Sequence, residues 1–388
     1  MMNIVFDAET KEAIAYAAEL ISSAGAILIS ASAGMGVDSG LPDFRGEGGF
    51  WRAYPALREN GVGFKDIASA AMFADDPRLA WGFYGHRLAL YRRTEPHAGF
   101  ALLKRWVDAK RGGYSIYTSN VDGQFTRAGF PSERIHECHG SIQLLQCTRP
   151  CSGEAWAADG LKVEIDERTC TWTGPLPACI HCGALARPNI AMFNDGAWDG
   201  ASSSCASERQ QAWLAGAKSP LVIEIGAGTE ANSVRGFSEA SVHSRRGHLI
   251  RINPEGDPGK VADVALAMPA LQALCAIDQH LTWAPAAGGK QASEQTFQRR
   301  LALLALLPGE DSGGIGAGVL TQRLNDAQYA CVRRTVERDL QALHAAPELP
   351  ALGFEVIHAA DPRHAHGRLW SRTTRSRQVS GLPGALGT

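Results

Sequence analysis

A chain of 388 residues is too long for one ordinary domain and reads as two or three packed units. Apolar residues at 45 % and charged residues at 20 % fit a globular protein with a large buried core. A net charge of -2 argues against a nucleic-acid or membrane-surface binder taken as a whole, and no apolar run reaches bilayer-spanning length. The segment Met1 to Thr10 carries acids and lacks the basic and apolar regions of a signal peptide, so a cytoplasmic location is expected.

Residues 8 to 24 have the apolar spacing of an amphipathic helix, and Ala26 to Ala31 is a short apolar run that fits a buried strand. A Gly-rich turn follows. Ser69 to Arg93 is aromatic and helical in pattern, and Pro96 to Lys110 predicts another helix. Tyr114 to Thr118 predicts a second strand. From Cys147 to Cys182 the chain is rich in Cys, Gly, Pro and Thr with no long helical period, which marks a small inserted module. Pro220 to Ile225 runs into Gly226, and His248 to Ile252 runs into Asn253. Both look like parallel core strands with loops at their C-terminal ends. Strands alternating with helices predict a doubly wound, Rossmann-like α/β domain. A small-residue linker spans 284–294. Beyond it, Phe297 to Leu307, Val319 to Leu324 and Tyr329 to Leu343 read as helices. Gly353 to Trp370 holds two possible strands around a polar turn at Asp361 to Gly367, and the tail from 374 to 388 reads as flexible.

The nine cysteines are an odd count without an export signal, which argues against a disulfide framework. Cys147-x3-Cys151 and Cys179-x2-Cys182 flank the Gly/Pro-rich insert. Four thiolates in two turns suit one tetrahedral zinc ion, and four protein ligands leave no open position, so the site would be structural. Cys170 and His181 stand as substitutes, and scattered core cysteines as the plainer reading.

Three further segments carry chemistry. Ala31 to Gly46 (ASAGMGVDSGLPDFRG) follows a strand with small residues whose backbone can approach a diphosphate, though a tight α/β turn has the same look. Tyr117 to Gly129 puts Asn120 and Asp122 just past a strand end, either as ligand contacts or as helix caps. Ile135 to Ser141 (IHECHGS) offers His136 and His139 as general bases.

Taken together, Ser39 to Gly46, the TxNxD pattern at Thr118 to Asp122 and the His139-Gly140 pair resemble the signatures of the sirtuin family in order and spacing. ARPNIAMF at Ala186 to Phe193 resembles that family's substrate segment, GAGTEANSV at Gly226 to Val234 its later nucleotide loop, and Arg251 to Asn253 its ribose-contacting strand end. The resemblance runs from about residue 12 to about residue 282. It implies a catalytic domain over 1–283 with a zinc module at about 145–185. It implies NAD held by Ala33, Gly34, Asp43, Phe44, Arg45, Ser119, Asn120, Asp122, Gly226, Gly228, Thr229 and Asn253. His139 would be the general base, Asn120 would contact the ribose, and Ile190, Met192 and Phe193 would meet the acyl-lysine. The implied products are free lysine, nicotinamide and O-acyl-ADP-ribose. The chain departs from the family pattern at Ser32 to Gly36, at Ser119 for the usual Gln, at Asn194-Asp195 for Gly-Glu, and at Glu230 for Ser.

Tyr84 and Arg87 stand three apart on one predicted helix, as in sirtuins that prefer succinyl-, malonyl- or glutaryl-lysine. Ala56 and the GGFWRAY run at Gly48 to Tyr54 resemble the same subgroup. A surface arginine is the plainer reading of Arg87. Residues 295–373 resemble a winged helix-turn-helix, carried by RRLALLALL at Arg299 to Leu307 and RRTVERDLQAL at Arg333 to Leu343. The second stretch would present Arg333, Arg334, Thr335 and Arg338 to DNA, with Glu337 and Asp339 diluting the charge. From Ile357 on, five Arg (363, 368, 372, 375, 377) face one acid, Asp361. A protein-interaction module fits equally well. The expected function is an NAD-dependent protein-lysine deacylase. Rivals are an ADP-ribosyltransferase or NAD hydrolase on the same scaffold, and an NAD-responsive DNA-binding regulator.

Overall fold

The computed structural model describes residues 6–43, 50, 51, 53–149, 151, 154–228, 233–254, 259, 261–281, 294–308, 314–326, 333–344, 354–360 and 368–374. The chain divides into two compact units, residues 7–282 and residues 1–6 together with 283–388. No helix among the described residues is long and apolar enough to cross a membrane.

The larger unit is built on a parallel sheet of six described strands. These are β1 (Ile27–Ala31), β2 (Tyr114–Thr118), β3 (Ile135–Glu137), β9 (Leu221–Ile225), β10 (His248–Ile252) and β11 (Val264–Leu266), in the order β11-β10-β9-β1-β2-β3. Strands this apolar must be covered on both faces. Leu28, Val222 and Leu249 pack on one face against Leu214 and Val242, from the helices Ala201–Gly216 and Ser233–Arg245. The helices Ala8–Ser23, Ala98–Asp108 and Ala270–Asp278 pack on one another and on the sheet edge at β11. The chain winds outward from β1 to β3, then returns to β9 and winds the other way. The order therefore reverses between β1 and β9, where open α/β sheets leave a crevice at the carboxyl ends of the strands.

A smaller layer sits in the same unit. Strands β5 (Trp156–Ala157), β4 (Gly140–Cys147) and β8 (Ala186–Ile190) form an antiparallel sheet, and β6 (Ile165–Asp166) pairs with β7 (Thr171–Trp172). Both belong to an aromatic core with the helix Pro77–Arg93, which buries Trp81, Phe83, Tyr84 and Tyr91. The predicted helical stretch from Ser69 is broken at Asp76, whose carboxylate caps the new helix by accepting from Leu79 N at 3.0 Å, with Pro77 in the first turn. A Cβ at Gly82 would lie 1.8 Å from the Cys170 carbonyl oxygen, so glycine alone lets this part of the insert rest on the helix backbone.

The smaller unit holds the helices Glu294–Leu306, Ala317–Asp326 and Arg333–His344. With them is an antiparallel sheet, β12 (Ile315–Gly316), β14 (Arg368–Thr374) and β13 (Phe354–Ala360), in the order β12-β14-β13. Leu303, Leu320, Leu324, Val336, Leu340, Val356 and Trp370 form its core. Asp339 is fully buried between Arg299 at 2.6 Å and Arg300 at 3.1 Å. It therefore does not dilute the surface charge of its helix, contrary to the sequence expectation. The linker up to residue 293, Cys331, the turn 361–367 and the tail from 375 lie outside the described residues.

Candidate functional site

The crevice at the sheet reversal is assembled by loops that bond to one another. Ser32 N donates to Ile225 O at 3.0 Å and Gly34 N to Gly226 O at 3.2 Å, so the turns after β1 and β9 touch along their backbones. Gly226 has φ +66°, and a Cβ there would lie 2.4 Å from Gly34 Cα. Both the left-handed backbone and the close approach require glycine. From β2, Ser119 N donates to Ala31 O at 3.1 Å, and Asn120 Nδ2 donates to Ser32 O at 3.1 Å. Ser32 and Ser119, two departures from the sirtuin pattern, share a hydroxyl hydrogen bond of 3.0 Å. From β10, Asn253 Nδ2 donates to Ala227 O at 2.8 Å. Ala33, Gly34, Ser119, Asn120, Gly226 and Asn253 are thus brought together, and Gly228 follows in the same loop. Asp43 is half-buried at the end of the first turn, whereas Phe44, Arg45 and Thr229 lie outside the described residues.

Two titratable groups stand at this crevice. Asp122 is buried, and its Oδ1 accepts at 2.9 Å from Gln124 N, the first amide of the short helix Gln124–Arg127, whose N-cap position is Gly123. Its Oδ2 lies 3.7 Å from where a Gly36 Cβ would stand, so it faces the first turn as well. Burial pushes its carboxyl up to about 6, against the pull of the Gln124 amide and the Arg87 charge. His139 is half-buried in the turn between β3 and β4. Burial holds its imidazole below the ordinary histidine range, and a hydrogen bond to the Ser119 backbone opposes that shift. The ring is therefore mostly neutral at pH 7 and tethered to the loop that carries Asn120. Gly140 anchors the turn: its φ is +78°, and a Cβ would lie 2.2 Å from Asn189 O on β8. His136, on β3 itself, is engaged elsewhere. Its two ring nitrogens bond Gln210 Oε1 at 2.9 Å and Ser203 Oγ at 3.2 Å, a structural role.

The four paired cysteines converge. The Sγ atoms of Cys147, Cys151, Cys179 and Cys182 all lie within 4.8 Å of one another, and Cys147–Cys182 and Cys151–Cys179 are each 3.6 Å apart. A tetrahedral zinc with Zn–S bonds of about 2.3 Å needs sulfurs about 3.8 Å apart, so the set fits zinc. Arg149 N and His181 N donate to Cys147 Sγ (3.3 Å) and Cys179 Sγ (3.4 Å), bonds that suit thiolates. Neither Cys170 nor the His181 side chain belongs to the cluster, which excludes both as substitutes.

A family model described as the Sir2 family matches residues 32–215. These residues carry a Sir2-family domain. An NAD-dependent protein deacylase of Aeropyrum pernix is 29 % identical over 264 residues, which cover 67 % of this chain and 94 % of that protein. A protein of the same name from Thermus thermophilus is 27 % identical over 276 residues, covering 66 % and 95 %. Among solved structures, a Sir2 homologue crystallised with NAD superposes with a TM-score of 0.53 at 24 % identity, over 68 % of this chain and 92 % of that one. A second Sir2 enzyme superposes with a TM-score of 0.52 at 21 % identity, over 70 % and 98 %. At such identities the structures speak for a shared Sir2 fold.

On this Sir2 scaffold the expected acyl-side residues fall into one region. Ala56, Tyr84, Ile190 and Met192 are buried in a single apolar cluster, and Phe193 remains 41 % exposed at its edge, 5.9 Å from the Phe64 ring. Phe193 N donates to Ala68 O at 3.0 Å, and the loop that follows is pinned by Asp195. The Asp195 side chain is buried and bidentate to Arg187 at 2.6 and 2.8 Å. Asn194 takes φ +54°, the left-handed conformation that Asn tolerates where the family has Gly. Arg87 is buried rather than a surface side chain, with its Cζ 5.4–5.7 Å from the Phe83, Tyr84 and Tyr91 ring centres. Motif reading passes over Glu137. Burial and the Asp122 charge push its carboxyl up to about 8, so it is a protonated acid beside Asp122.

Proposed function

We propose that this chain is an NAD-dependent protein-lysine deacylase. The observation that carries the reading is the His139 imidazole, neutral and tied to Ser119, at the crevice that also gathers the Gly34–Gly226 contact, Asn120 and Asp122. The two touching loop backbones suit a diphosphate, and Asp122 suits a carboxamide donor. NAD, when bound, supplies a ribose carbon activated by the loss of nicotinamide, together with the ribose hydroxyls. His139 takes the proton from one such hydroxyl, a task for a base whose pKa lies near the working pH. Asn120 orients the ribose, and Ile190, Met192 and Phe193 guide the lysine arm. The catalytic domain is read as 1–283 with the zinc module at about 145–185 and a linker at 284–294. Acyl-lysine proteins are its partners. A cytoplasmic setting is in keeping with four cysteines gathered in a metal-ready cluster.

The test is incubation with NAD and a panel of acetyl-, malonyl- and succinyl-lysine peptides, read by mass spectrometry. Free lysine, nicotinamide and O-acyl-ADP-ribose are expected in equal amounts, and His139→Ala abolishes them with its circular dichroism unchanged. Free ADP-ribose or ADP-ribosylated protein without deacylation would favour the hydrolase or transferase rivals. Within this reading we propose a preference for acidic acyl groups. Arg87, buried among three aromatic rings within the apolar cluster, supplies the positive charge that a succinyl or malonyl carboxylate requires.

We propose further that residues 295–373 form a winged helix-turn-helix that binds DNA. Arg333, Arg334 and Arg338 are carried on one helix, while the neighbouring Asp339 is spent inside the unit on Arg299 and Arg300. Fluorescence anisotropy with duplex DNA should show affinity falling as salt rises, and Arg334→Ala with Arg338→Ala should flatten that slope by about 2. Binding indifferent to salt and to these changes would leave a protein-interaction module, and binding that responds to NAD would mark a regulator.

A further inference from the structure

The helix Pro77–Arg93 carries one more group next to Arg87. Tyr91 lies one turn on, and its hydroxyl oxygen accepts from Arg87 Nε at 3.0 Å and from Arg87 Nη2 at 2.8 Å. Both side chains are buried, Arg87 at 9 % and Tyr91 at 4 % exposure. Two bonds from one edge of the guanidinium to a single oxygen fix the plane of the guanidinium as well as its position. The chemical type of the acceptor matters. A carboxylate there would orient Arg87 equally well but would cancel its charge. A phenol orients it and leaves the charge in place, and burial raises the Tyr91 pKa, so it stays neutral. The ionisable groups that act on Arg87 are Tyr54, Tyr84 and Tyr91 from its own and the neighbouring elements, and Asp122 from the loop after β2.

We propose that Tyr91 is a positioning residue for recognition of an acidic acyl group, holding the Arg87 guanidinium in place before the substrate carboxylate arrives. The proposal rests on the reading that Arg87 meets that carboxylate. An arginine already held loses little freedom on binding, so the effect belongs in KM for acidic substrates rather than in kcat.

The experiment measures kcat and KM on succinyl- and acetyl-lysine versions of one peptide at saturating NAD. It compares the full chain, Tyr91→Phe, Tyr91→Gln and Arg87→Met, with melting temperatures alongside. Tyr91→Phe should raise KM for the succinyl peptide about tenfold with kcat nearly kept, lowering the succinyl-to-acetyl ratio of kcat/KM. Tyr91→Gln keeps a neutral acceptor and should recover part of that ratio. If Arg87→Met collapses the ratio while Tyr91→Phe leaves it at the parent value, Tyr91 does not position Arg87 and the acyl reading survives. If both Tyr91 variants lose the two substrates alike with lower melting temperatures, the contact is merely structural and the proposal is overturned. If the parent shows no succinyl preference, or Arg87→Met does not alter it, the acyl reading fails and this proposal falls with it.

Discussion

Protonation at the crevice sets a pH window that individual residues define. In the proposed reaction Asp122, pushed up to about 6, holds a carboxamide N–H at full strength only when ionised, and His139, held below its ordinary value, must be neutral to take a proton. Both requirements fail on acidification, so kcat/KM should fall as pH drops through about 6. Glu137, pushed up to about 8, is protonated at pH 7 and ionises above 8, which puts a second negative charge beside Asp122. A loss of activity near pH 8 is therefore expected, and Glu137→Gln should remove it. If that variant kept the parent's alkaline limb, the limb would have another origin. The motifs single out His139, Asn120 and Asp122, and the fold brings the three to one crevice. Glu137 is not legible in the sequence, because a single acid between two histidines carries no sign that the fold will bury it. Arg87 is half legible: its spacing from Tyr84 is plain, but only burial removes the surface reading.

Elements follow the same division. The strands β1, β2, β9 and β10 announce themselves as apolar runs ending in small or polar residues. The helix Ala201–Gly216 does not, since its sequence (ASSSCASERQQAWLAG) has little apolar period and buries only Ala206, Gln210 and Leu214. Gln210 instead docks it by polar bonds, donating to Ser115 Oγ at 3.0 Å and Ile116 O at 3.2 Å and meeting His136 at 2.9 Å. Periodicity cannot see a helix held that way. The helix Pro77–Arg93 shows the reverse, a strong aromatic pattern whose glycines look incidental. Gly82 lies under the Cys170 carbonyl, and a Cβ at Gly85 would come within 2.9 Å of the Trp172 ring. Gly82→Ala should push the β6–β7 hairpin off the helix and lower the melting temperature by several degrees, the size of a core overpacking defect of about 1–3 kcal/mol. Thermal unfolding of that variant decides the matter, and an unchanged midpoint would show the hairpin to be loosely held.

At the scale of the molecule, the zinc module and the crevice are two ends of one ribbon. Strand β4 begins at Gly140, next to His139, and ends at Cys147, while β8 begins four residues after Cys182 and ends at Ile190, next to Met192 and Phe193. The two strands pair from Gly140↔Ile190 to Cys147↔Ala186. A metal at the cysteine end therefore fastens the pair whose other end carries the proposed base and the proposed lysine-guiding segment, although every thiolate is several residues along the chain from either. Four thiolates held within 4.8 Å without a cation between them would repel, so stripping the metal should loosen both strands together. Chelation, or Cys151→Ser, should take the bound zinc from one per chain to none, lower the melting temperature, and remove most deacylase activity. Restoring zinc to the chelated protein should bring both back. A zinc-free protein with full turnover would mean that β4 and β8 keep their register through their hydrogen bonds and the aromatic core alone.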